Sequence, residues 1–144
     1  MIILDTNVLS EIMRPPGERS SAVFEWMRAR NLADLATTSI SVAEIAVGVH
    51  KMPSGRRRAE LETGARRLFS TFFSDRIFSF DVPAAERFGP LLAERRRKGR
   101  HFHAFDFQIL AIAASRGCAV ATRNTRDFDQ VGVALINPWD HPAA

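Results

Sequence analysis

Short apolar runs alternate along this chain with longer segments in which apolar residues recur every three or four positions. The short runs are typical of buried strands, and the longer spacing is typical of helices with one buried face. Strands are predicted at 1–5, 35–37, 77–80, 119–122 and 134–136, and helices at 6–13, 21–28, 41–51, 56–73, 83–98 and 104–116. Because strands and helices alternate, we predict an α/β fold in which parallel strands are joined by helical crossovers.

Two of the predicted helices have clear apolar faces. The buried side of the helix at 21–28 is predicted to comprise Val23, Phe24, Trp26 and Met27. In the helix at 56–73 the apolar residues form one stripe, which consists of Leu61, Ala65, Leu68, Phe69 and Phe72. Core packing is the first explanation for this stripe, and a partner surface that includes Phe72 and Phe73 is the second.

A length of 144 residues suits one domain with a single core, and we expect residues 1–144 to form it. No apolar run approaches the roughly 20 residues that a membrane-spanning helix requires. The N-terminus has neither a basic leader nor a long apolar stretch, so a cytoplasmic location is expected. Cys118 is the only cysteine, so an internal disulfide is excluded and core packing is its expected role.

The net charge of +4 comes almost entirely from arginine, since the only lysines are Lys51 and Lys98. The planar guanidinium group matches phosphate better than the point charge of lysine does. Arginine clusters at 56–58, 66–67 and 95–98 could therefore bind a nucleic-acid backbone. Taken singly, each cluster is better explained as the solvated face of a helix.

Three acidic residues, Asp5, Glu44 and Asp106, lie in apolar surroundings. Asp5 ends the first predicted strand, and Asn124 shortly follows the strand at 119–122. The carboxyl ends of parallel strands form the usual ligand site of such a sheet. Because Glu44 and Asp106 lie near the starts of helices that could flank this edge, we expect all four side chains to converge there.

Oxygen ligands without histidine or cysteine are typical of a site for a hard divalent cation such as Mg²⁺ or Mn²⁺. One or two such ions could orient a water molecule and neutralise charge while a phosphodiester bond is cleaved. Asp5 and Asp106 could instead be helix N-caps. Glu44 is harder to explain otherwise, because glutamate is rarely buried without a partner. Together the three acids favour the metal site.

Several neighbours of the acids could assist them. Thr6 and Thr122 could position a water molecule or the Asp5 carboxylate, or could serve only as cap and strand residues. Arg123 and Arg126 could contact phosphate, and Arg123 could instead pair with a carboxylate.

His101 and His103 lie just before Asp106, two residues apart. This spacing fits a strand or loop rather than a helical pair of metal ligands. We expect both histidines to line the groove or to face solvent.

Four segments, spread in order over almost the whole chain, carry a family pattern. They are Ile3-Leu4-Asp5-Thr6-Asn7-Val8-Leu9-Ser10-Glu11, Ser39-Ile40-Ser41-Val42-Ala43-Glu44-Ile45, the helix around Asp106, and Ala121-Thr122-Arg123-Asn124-Thr125-Arg126-Asp127-Phe128 with Asn137-Pro138-Trp139. Together they resemble the PIN domain, and more narrowly the VapC and FitB-like toxins of bacterial toxin–antitoxin pairs. The resemblance implies an α/β/α sandwich around a central parallel sheet of four to five short strands.

The resemblance also implies an activity and partners. It implies a Mg²⁺- or Mn²⁺-dependent endoribonuclease, usually dimeric, which an antitoxin holds inactive by placing its C-terminal segment in the active-site groove. We therefore expect an RNA substrate, a VapB- or FitA-like antitoxin, a homodimer that forms a hetero-oligomer with the antitoxin, and no membrane contact.

By resemblance, Asp5, Glu44 and Asp106 match the acidic metal-binding positions of the PIN domain. Asn124 falls at the fourth position, where many members carry aspartate. Asparagine can bind a metal through its carbonyl oxygen but adds no charge, so a second ion would be held more weakly. Asp127 could compensate or could be a surface acid in a turn. The expected catalytic residues are Asp5, Glu44, Asp106 and Asn124, supported by Thr6, Thr122 and Arg123.

An RNA-cleaving toxin is the leading functional hypothesis. The alternative is a weakly active or non-catalytic PIN module that binds RNA or a protein partner, because Asn124 has cost it a metal ion. A structure-selective DNA nuclease of the related flap-cleaving fold is less favoured, because those proteins are larger and carry more acids. If the apolar stripe at 61–72 is a partner surface, its partner is a second subunit or an antitoxin.

Overall fold

The computed structural model describes residues 1–128 and 131–142, and its strands form one parallel five-stranded sheet. The strands are β1 (Ile2–Leu4), β2 (Leu35–Thr38), β3 (Ile77–Phe78), β4 (Ala119–Ala121) and β5 (Leu135–Ile136). Their order across the sheet is β3-β2-β1-β4-β5, so the first strand of the chain lies in the middle. Ile2 is opposite Leu35 on one side and opposite Ala119 on the other. The predicted α/β fold with a parallel sheet is confirmed.

Six α-helices connect and cover the strands. They are α1 (Thr6–Ile12), α2 (Ser21–Arg28), α3 (Ser39–His50), α4 (Arg56–Arg67), α5 (Val82–Arg97) and α6 (Ala104–Arg116). Every predicted helix is present, and all bounds except the end of α4 agree with the prediction to within two residues. No helix in the part of the chain that the structure describes is long and apolar enough to cross a membrane.

Alternate residues of each strand point to opposite faces of the sheet, and each face carries its own hydrophobic core. Ile3 of β1 and Val120 of β4 belong to the core that α5 and α6 close. Their neighbours Leu4 and Ala121 belong to the other core, which α1, α2, α3 and α4 close. Helices therefore cover both faces, as the predicted α/β/α sandwich requires.

The segment predicted as a single helix at 56–73 has two parts. After α4 the chain continues as a π-helical turn (Leu68–Phe72), in which the backbone N–H of Phe73 donates to the carbonyl of Leu68 at 3.0 Å. No proline or glycine marks this change, so apolar spacing alone indicates a continuous α-helix. Phe73 is fully buried, whereas Phe72 is only partly buried. A partner surface can therefore include Phe72 but not Phe73.

The third strand is shorter than the predicted segment 77–80. The backbone N–H of Asp81 donates to the carbonyl of Ser79 at 2.9 Å, and the Asp81 side chain accepts from the backbone N–H of Ala84 at 3.1 Å. The chain therefore turns to cap α5 directly after β3 has paired with β2.

Two side chains differ from their predicted burial. Phe24, predicted on the buried side of α2, is 47% exposed, because Val23 and Trp26 occupy the face toward the sheet. Arg95, predicted within a solvated cluster, is only 7% exposed, and its Nε donates to the carbonyl of His101 at 3.1 Å. Apolar content alone did not distinguish these environments.

Candidate active site

Asp5 follows β1 and begins α1 at the carboxyl edge of the sheet. Its backbone N–H donates to the carbonyl of Ala121 at 3.0 Å, which continues the pairing of β1 with β4. Its side chain is buried, and Oδ1 accepts from the backbone N–H of Thr6 at 2.7 Å, so Asp5 is the N-cap of α1. This role is compatible with a metal site, because Oδ1 accepts from no other donor within the described ranges.

The other carboxylate oxygen of Asp5 is fixed by two side chains. Thr122 Oγ1 donates to Oδ2 at 2.7 Å, and Asn7 Nδ2 donates to it at 2.8 Å. Asn7 Oδ1 in turn accepts from the backbone N–H of Arg123 at 3.2 Å. Asn7 is thus a supporting residue that the sequence analysis missed. Its one sequence signal is its position, two residues after Asp5 in the first turn of a helix.

Glu44 is positioned by α3, which starts directly after β2. The helix start is fixed by Thr38, whose Oγ1 accepts from the backbone N–H of Ser41 at 3.1 Å. Glu44 lies in the second turn and is partly buried, and its Oε1 accepts from Thr6 Oγ1 at 2.7 Å. Thr6 therefore contacts both acids: Asp5 through its backbone N–H and Glu44 through its hydroxyl group.

Asp106 is the third residue of α6. The N-cap of this helix is His103, so the interpretation of Asp106 as an N-cap is wrong. An open cleft of about 430 Å³ is lined by Glu44 of α3, by the N-cap His103, and by Ala104, Phe105 and Asp106 of α6. The two helices thus present their acids to the same cleft.

The pKa values show that the three carboxyl groups act on one another. Burial, followed by the charges of Asp5 and Glu44, raises the pKa of Asp106 to about 6. Burial also raises the pKa of Glu44, opposed by the hydrogen bond from Thr6 and reinforced by the charge of Asp5. Burial raises the pKa of Asp5 as well, opposed by its three hydrogen bonds. The site therefore has an excess of negative charge.

The fourth predicted position lies at the rim of this site. The Asn124 residue is exposed, and its backbone N–H donates to Thr122 Oγ1 at 3.1 Å. Asp127 is exposed too, and its charge is the smallest of the contributions that raise the pKa of Asp106. Metal binding by either side chain stays a prediction.

The acid that follows β1 and the acids of α3 and α6 thus meet at one edge of a parallel sheet, and residues 2–134 match the PIN domain. The chain belongs to the PIN domain family. The predicted resemblance is confirmed.

Relatives of this PIN domain match it over nearly their whole length. A protein named VapC ribonuclease Y4jK, from Sinorhizobium fredii, is 34% identical over 97% of this chain and 99% of its own. A protein named Toxin FitB, from Neisseria gonorrhoeae, is 36% identical over 96% of this chain and 99% of its own. The crystal structure of FitAcB from Neisseria gonorrhoeae aligns with a TM-score of 0.85 and 34% identity, covering 97% of this chain and 99% of that one.

The basic neighbours of the PIN-domain acids make few contacts with them. The guanidinium group of Arg123 lies 5.2 Å from the ring centroid of Trp139, and it forms no ion pair with a described carboxylate. Arg126 is exposed. His103 lines the acidic cleft and His101 is exposed, as expected for histidines that line the groove or face solvent.

The acidic site offers oxygen donors that suit a divalent cation. Within residues 1–128 and 131–142, no three His, Cys, Asp or Glu side chains form a ready-made metal cluster. Mg²⁺ does not require one, since it keeps several waters and uses one or two carboxylates together with substrate phosphates. Carboxylates that repel one another, with an open acceptor position on Asp5 Oδ1, fit such an ion.

The PIN domain also has an apolar groove of about 640 Å³. One wall is formed by α1 and α2, and the other by α4 with the π-helical turn. Phe24, Leu68 and Phe72 line it, so the exposed Phe24 and part of the predicted apolar stripe face the same space. The stripe therefore packs on the core and also forms a surface.

Proposed function

We propose that this PIN domain is a divalent-metal-dependent endoribonuclease that acts as the toxin of a toxin–antitoxin pair. The observation that carries the proposal is the convergence of Asp5, Glu44 and Asp106, where burial, together with the charges of Asp5 and Glu44, raises the pKa of Asp106 to about 6. The names of the two relatives, VapC ribonuclease and Toxin FitB, support the same activity.

Asp5, Glu44 and Asp106 would hold Mg²⁺ or Mn²⁺, with Asn124 or Asp127 as a further oxygen donor. When bound, such an ion supplies charge neutralisation at phosphate oxygens and a water molecule of lowered pKa. The supporting residues orient the acids: Thr122 and Asn7 hold Oδ2 of Asp5, and Thr6 holds Oε1 of Glu44. The oxygen left open on Asp5 faces no competing donor among the described residues.

Cleavage of a mixed RNA pool by antitoxin-free protein tests the activity, with Mg²⁺, with Mn²⁺ and with chelator. We expect cutting with either metal, none with chelator, and none by Asp5→Asn, Glu44→Gln or Asp106→Asn. Glu86→Gln is the matched control, because Glu86 is an exposed acid on α5 without a described ion pair. Cutting that survives chelation, or that survives in folded Asp5→Asn and Asp106→Asn proteins, would contradict the proposal.

A weakly active or non-catalytic module that binds RNA or a partner is the second candidate. It is favoured by the uncharged Asn124 at the rim and by the lack of a ready-made metal cluster within the described ranges. Wild-type protein that binds RNA from the same pool with either metal present, but leaves it uncut, would support this candidate and exclude the first.

The apolar groove is the surface we propose for an apolar segment of the antitoxin. Phe24 lines it from α2 and is 47% exposed, so a charge there can enter the groove without disturbing the core. We expect Phe24→Glu to lose co-purification with its cognate antitoxin while RNA cleavage persists. Val82→Glu is the control, since Val82 is 71% exposed on α5 and lies outside the groove. Equal antitoxin binding by both variants would refute the assignment.

A further inference from the structure

Glu44 lies between two clefts. On the α6 side it shares the cleft of about 430 Å³ with Phe105 and Asp106. On the other side it shares with Thr6 a second cleft of about 290 Å³, which runs between α1, α3 and α4. A chain that follows both clefts must therefore cross Glu44.

Two arginines line the second cleft. Arg14 lies just after α1, and Arg57 lies in the first turn of α4. The side chain of Arg14 is 53% exposed and only 3.5 Å from Glu11, whereas Arg57 has no ion pair with any carboxylate in the described part of the chain. Glu18 lines the cleft as well, so the positive charge is local rather than uniform. Guanidinium groups so placed match phosphate oxygens.

The cleft beside α6 is lined by an exposed aromatic ring, not by arginines. Phe105 is 49% exposed although it directly precedes Asp106. Phe102 and Phe107 on either side of it pack against the core on the α5 and α6 side of the sheet. An exposed ring beside an acidic site offers a base of an unpaired strand a face on which to stack.

We propose that an unpaired stretch of RNA lies across Glu44, with one base stacked on Phe105 and backbone phosphates on Arg14 and Arg57. The inference rests on the proposed ribonuclease function and adds the path of the substrate. A phosphodiester between these contacts lies at Glu44 and Asp106. Duplex RNA does not fit this path, because its bases are stacked on one another and cannot cover the ring of Phe105.

Binding of a fluorescein-labelled single-stranded RNA, followed by anisotropy, tests the path without cleavage. The parent is Asp106→Asn with Mg²⁺ present, because Asp106 accepts no described hydrogen bond and the change preserves shape. We expect Phe105→Ala to weaken binding about fivefold or more. Arg14→Ala and Arg57→Ala should each weaken binding and reduce the slope of log affinity against log salt by about 0.7.

Two matched controls separate the path from general effects. Phe24→Ala removes a ring of similar exposure that lines the apolar groove instead. Arg66→Ala removes an exposed arginine of α4 that lies nine residues from Arg57, on the opposite face of the helix. Both controls should bind RNA as the parent does, and a duplex of the same sequence should compete at least tenfold less well than the single strand.

Three outcomes would overturn the path: Phe105→Ala binding RNA as well as Phe24→Ala, Arg14→Ala and Arg57→Ala both binding as well as Arg66→Ala, or duplex competing as well as single strand. Light scattering supplies a further check, because Phe105→Ala that also dissociates a dimer would assign this ring to a subunit contact. The path and the ribonuclease proposal can fail separately. If the Phe105, Arg14 and Arg57 variants bind RNA more weakly but the wild type does not cut it, only the ribonuclease proposal is contradicted. If the wild type cuts RNA but these variants bind it as the parent does, only the path is contradicted.

Discussion

Asp5 and Asp106 belong to one acidic site but are held in opposite ways. Asp5 accepts hydrogen bonds from three donors, on Thr6, Asn7 and Thr122, whereas Asp106 accepts none from the residues that the structure describes. Burial raises the pKa of both carboxyl groups. Hydrogen bonds oppose the effect at Asp5, and neighbouring carboxylates add to it at Asp106.

The difference is one of preorganisation. The Asp5 half is fixed by donors from the start of α1 and the end of β4 before any ligand arrives. The Asp106 half carries a charge that Asp5 and Glu44 repel and that His103 offsets only in part. We therefore expect the fixed half to contribute to the stability of the fold and the free half to respond most to a bound cation.

Alanine substitution of Asp5 and of Asp106 is expected to have the largest effects on cleavage, and it tests directly whether the two acids are held differently. RNA cleavage should fall at least about a hundredfold for both Asp5→Ala and Asp106→Ala, because loss of a residue that only orients a ligand already costs 10–100-fold. The free energies of unfolding of the two variants, measured by urea denaturation in the presence of chelator, should differ. Asp5→Ala leaves the buried Thr122 hydroxyl and the backbone N–H of Thr6 without the acceptor they have in the wild type, which costs about 1–3 kcal/mol.

Asp106→Ala should change the free energy of unfolding much less, because it removes no described hydrogen bond. Equal destabilisation by the two substitutions would show that the halves are not held differently. Glu86→Ala is the control for the loss of an exposed helical acid.

Substitution of Thr122 tests whether the Asp5 carboxylate must be held by its hydrogen bond from Thr122 for catalysis. Thr122→Val keeps the shape but removes the donor to Asp5 Oδ2, and cleavage should fall about 10–100-fold. The Mg²⁺ concentration for half-maximal cleavage should rise as well, which a purely structural role would not produce. Thr122→Ser retains the hydroxyl group and should restore most of the activity. Serine and valine variants with equal activity would refute the positioning role.

The pH dependence of stability tests the free half. The pKa of Asp106 is raised from 3.8 to about 6 in the folded protein, so the unfolded state loses this proton first as pH rises. The carboxyl group therefore favours folding below pH 3.8, and that contribution is lost as pH rises through about 6.

Melting temperatures of wild type and Asp106→Asn in chelator measure this effect. The two should be similar near pH 4, and Asp106→Asn should melt a few degrees higher near pH 7. Saturating Mg²⁺ should reduce or reverse the difference, because the protein that keeps all three carboxylates binds the ion more tightly and is stabilised more by it. A difference that is independent of pH would argue against the raised pKa.

The same contrast explains how much of the molecule could be predicted from its sequence. Apolar spacing identified the five strands and six α-helices of the described residues, and the apolar surroundings of Asp5, Glu44 and Asp106 indicated the edge at which they meet. The π-helical turn was missed, because residues 68–73 contain neither glycine nor proline. Phe24 was misplaced, because apolar spacing does not tell a core from a groove.

The supporting contacts were the hardest to predict. Asn7 and Thr122 are 115 positions apart, and their joint hold on Asp5 depends on the pairing of β1 with β4. A local pattern contains no information on such a contact. Asp106 accepts no hydrogen bond from the described residues, so predicting its place in the site did not require such a long-range contact.

Substitution of Asn124 is expected to have the smallest effect on cleavage. It tests whether a carboxylate at the rim of the acidic site, where the fourth position now carries an uncharged amide, strengthens metal binding. Asn124→Asp adds a carboxylate beyond Thr122, and more ligand charge tightens the binding of a divalent cation. We expect the Mg²⁺ concentration for half-maximal cleavage to fall a few-fold. Asn31→Asp is the control, since it adds the same charge at an exposed position before a 3₁₀ turn (Leu32–Asp34) outside the acidic cleft.

Asp127→Asn completes this test. If Asp127 already compensates for Asn124, its loss should raise the Mg²⁺ requirement, and the double variant with Asn124→Asp should return it to the wild-type value. If Asp127 is a surface acid, only Asn124→Asp should have an effect. If none of the three variants changes the Mg²⁺ requirement, the cation is held by Asp5, Glu44 and Asp106 alone. A rim side chain that contributes to metal binding must change the Mg²⁺ requirement when its charge changes.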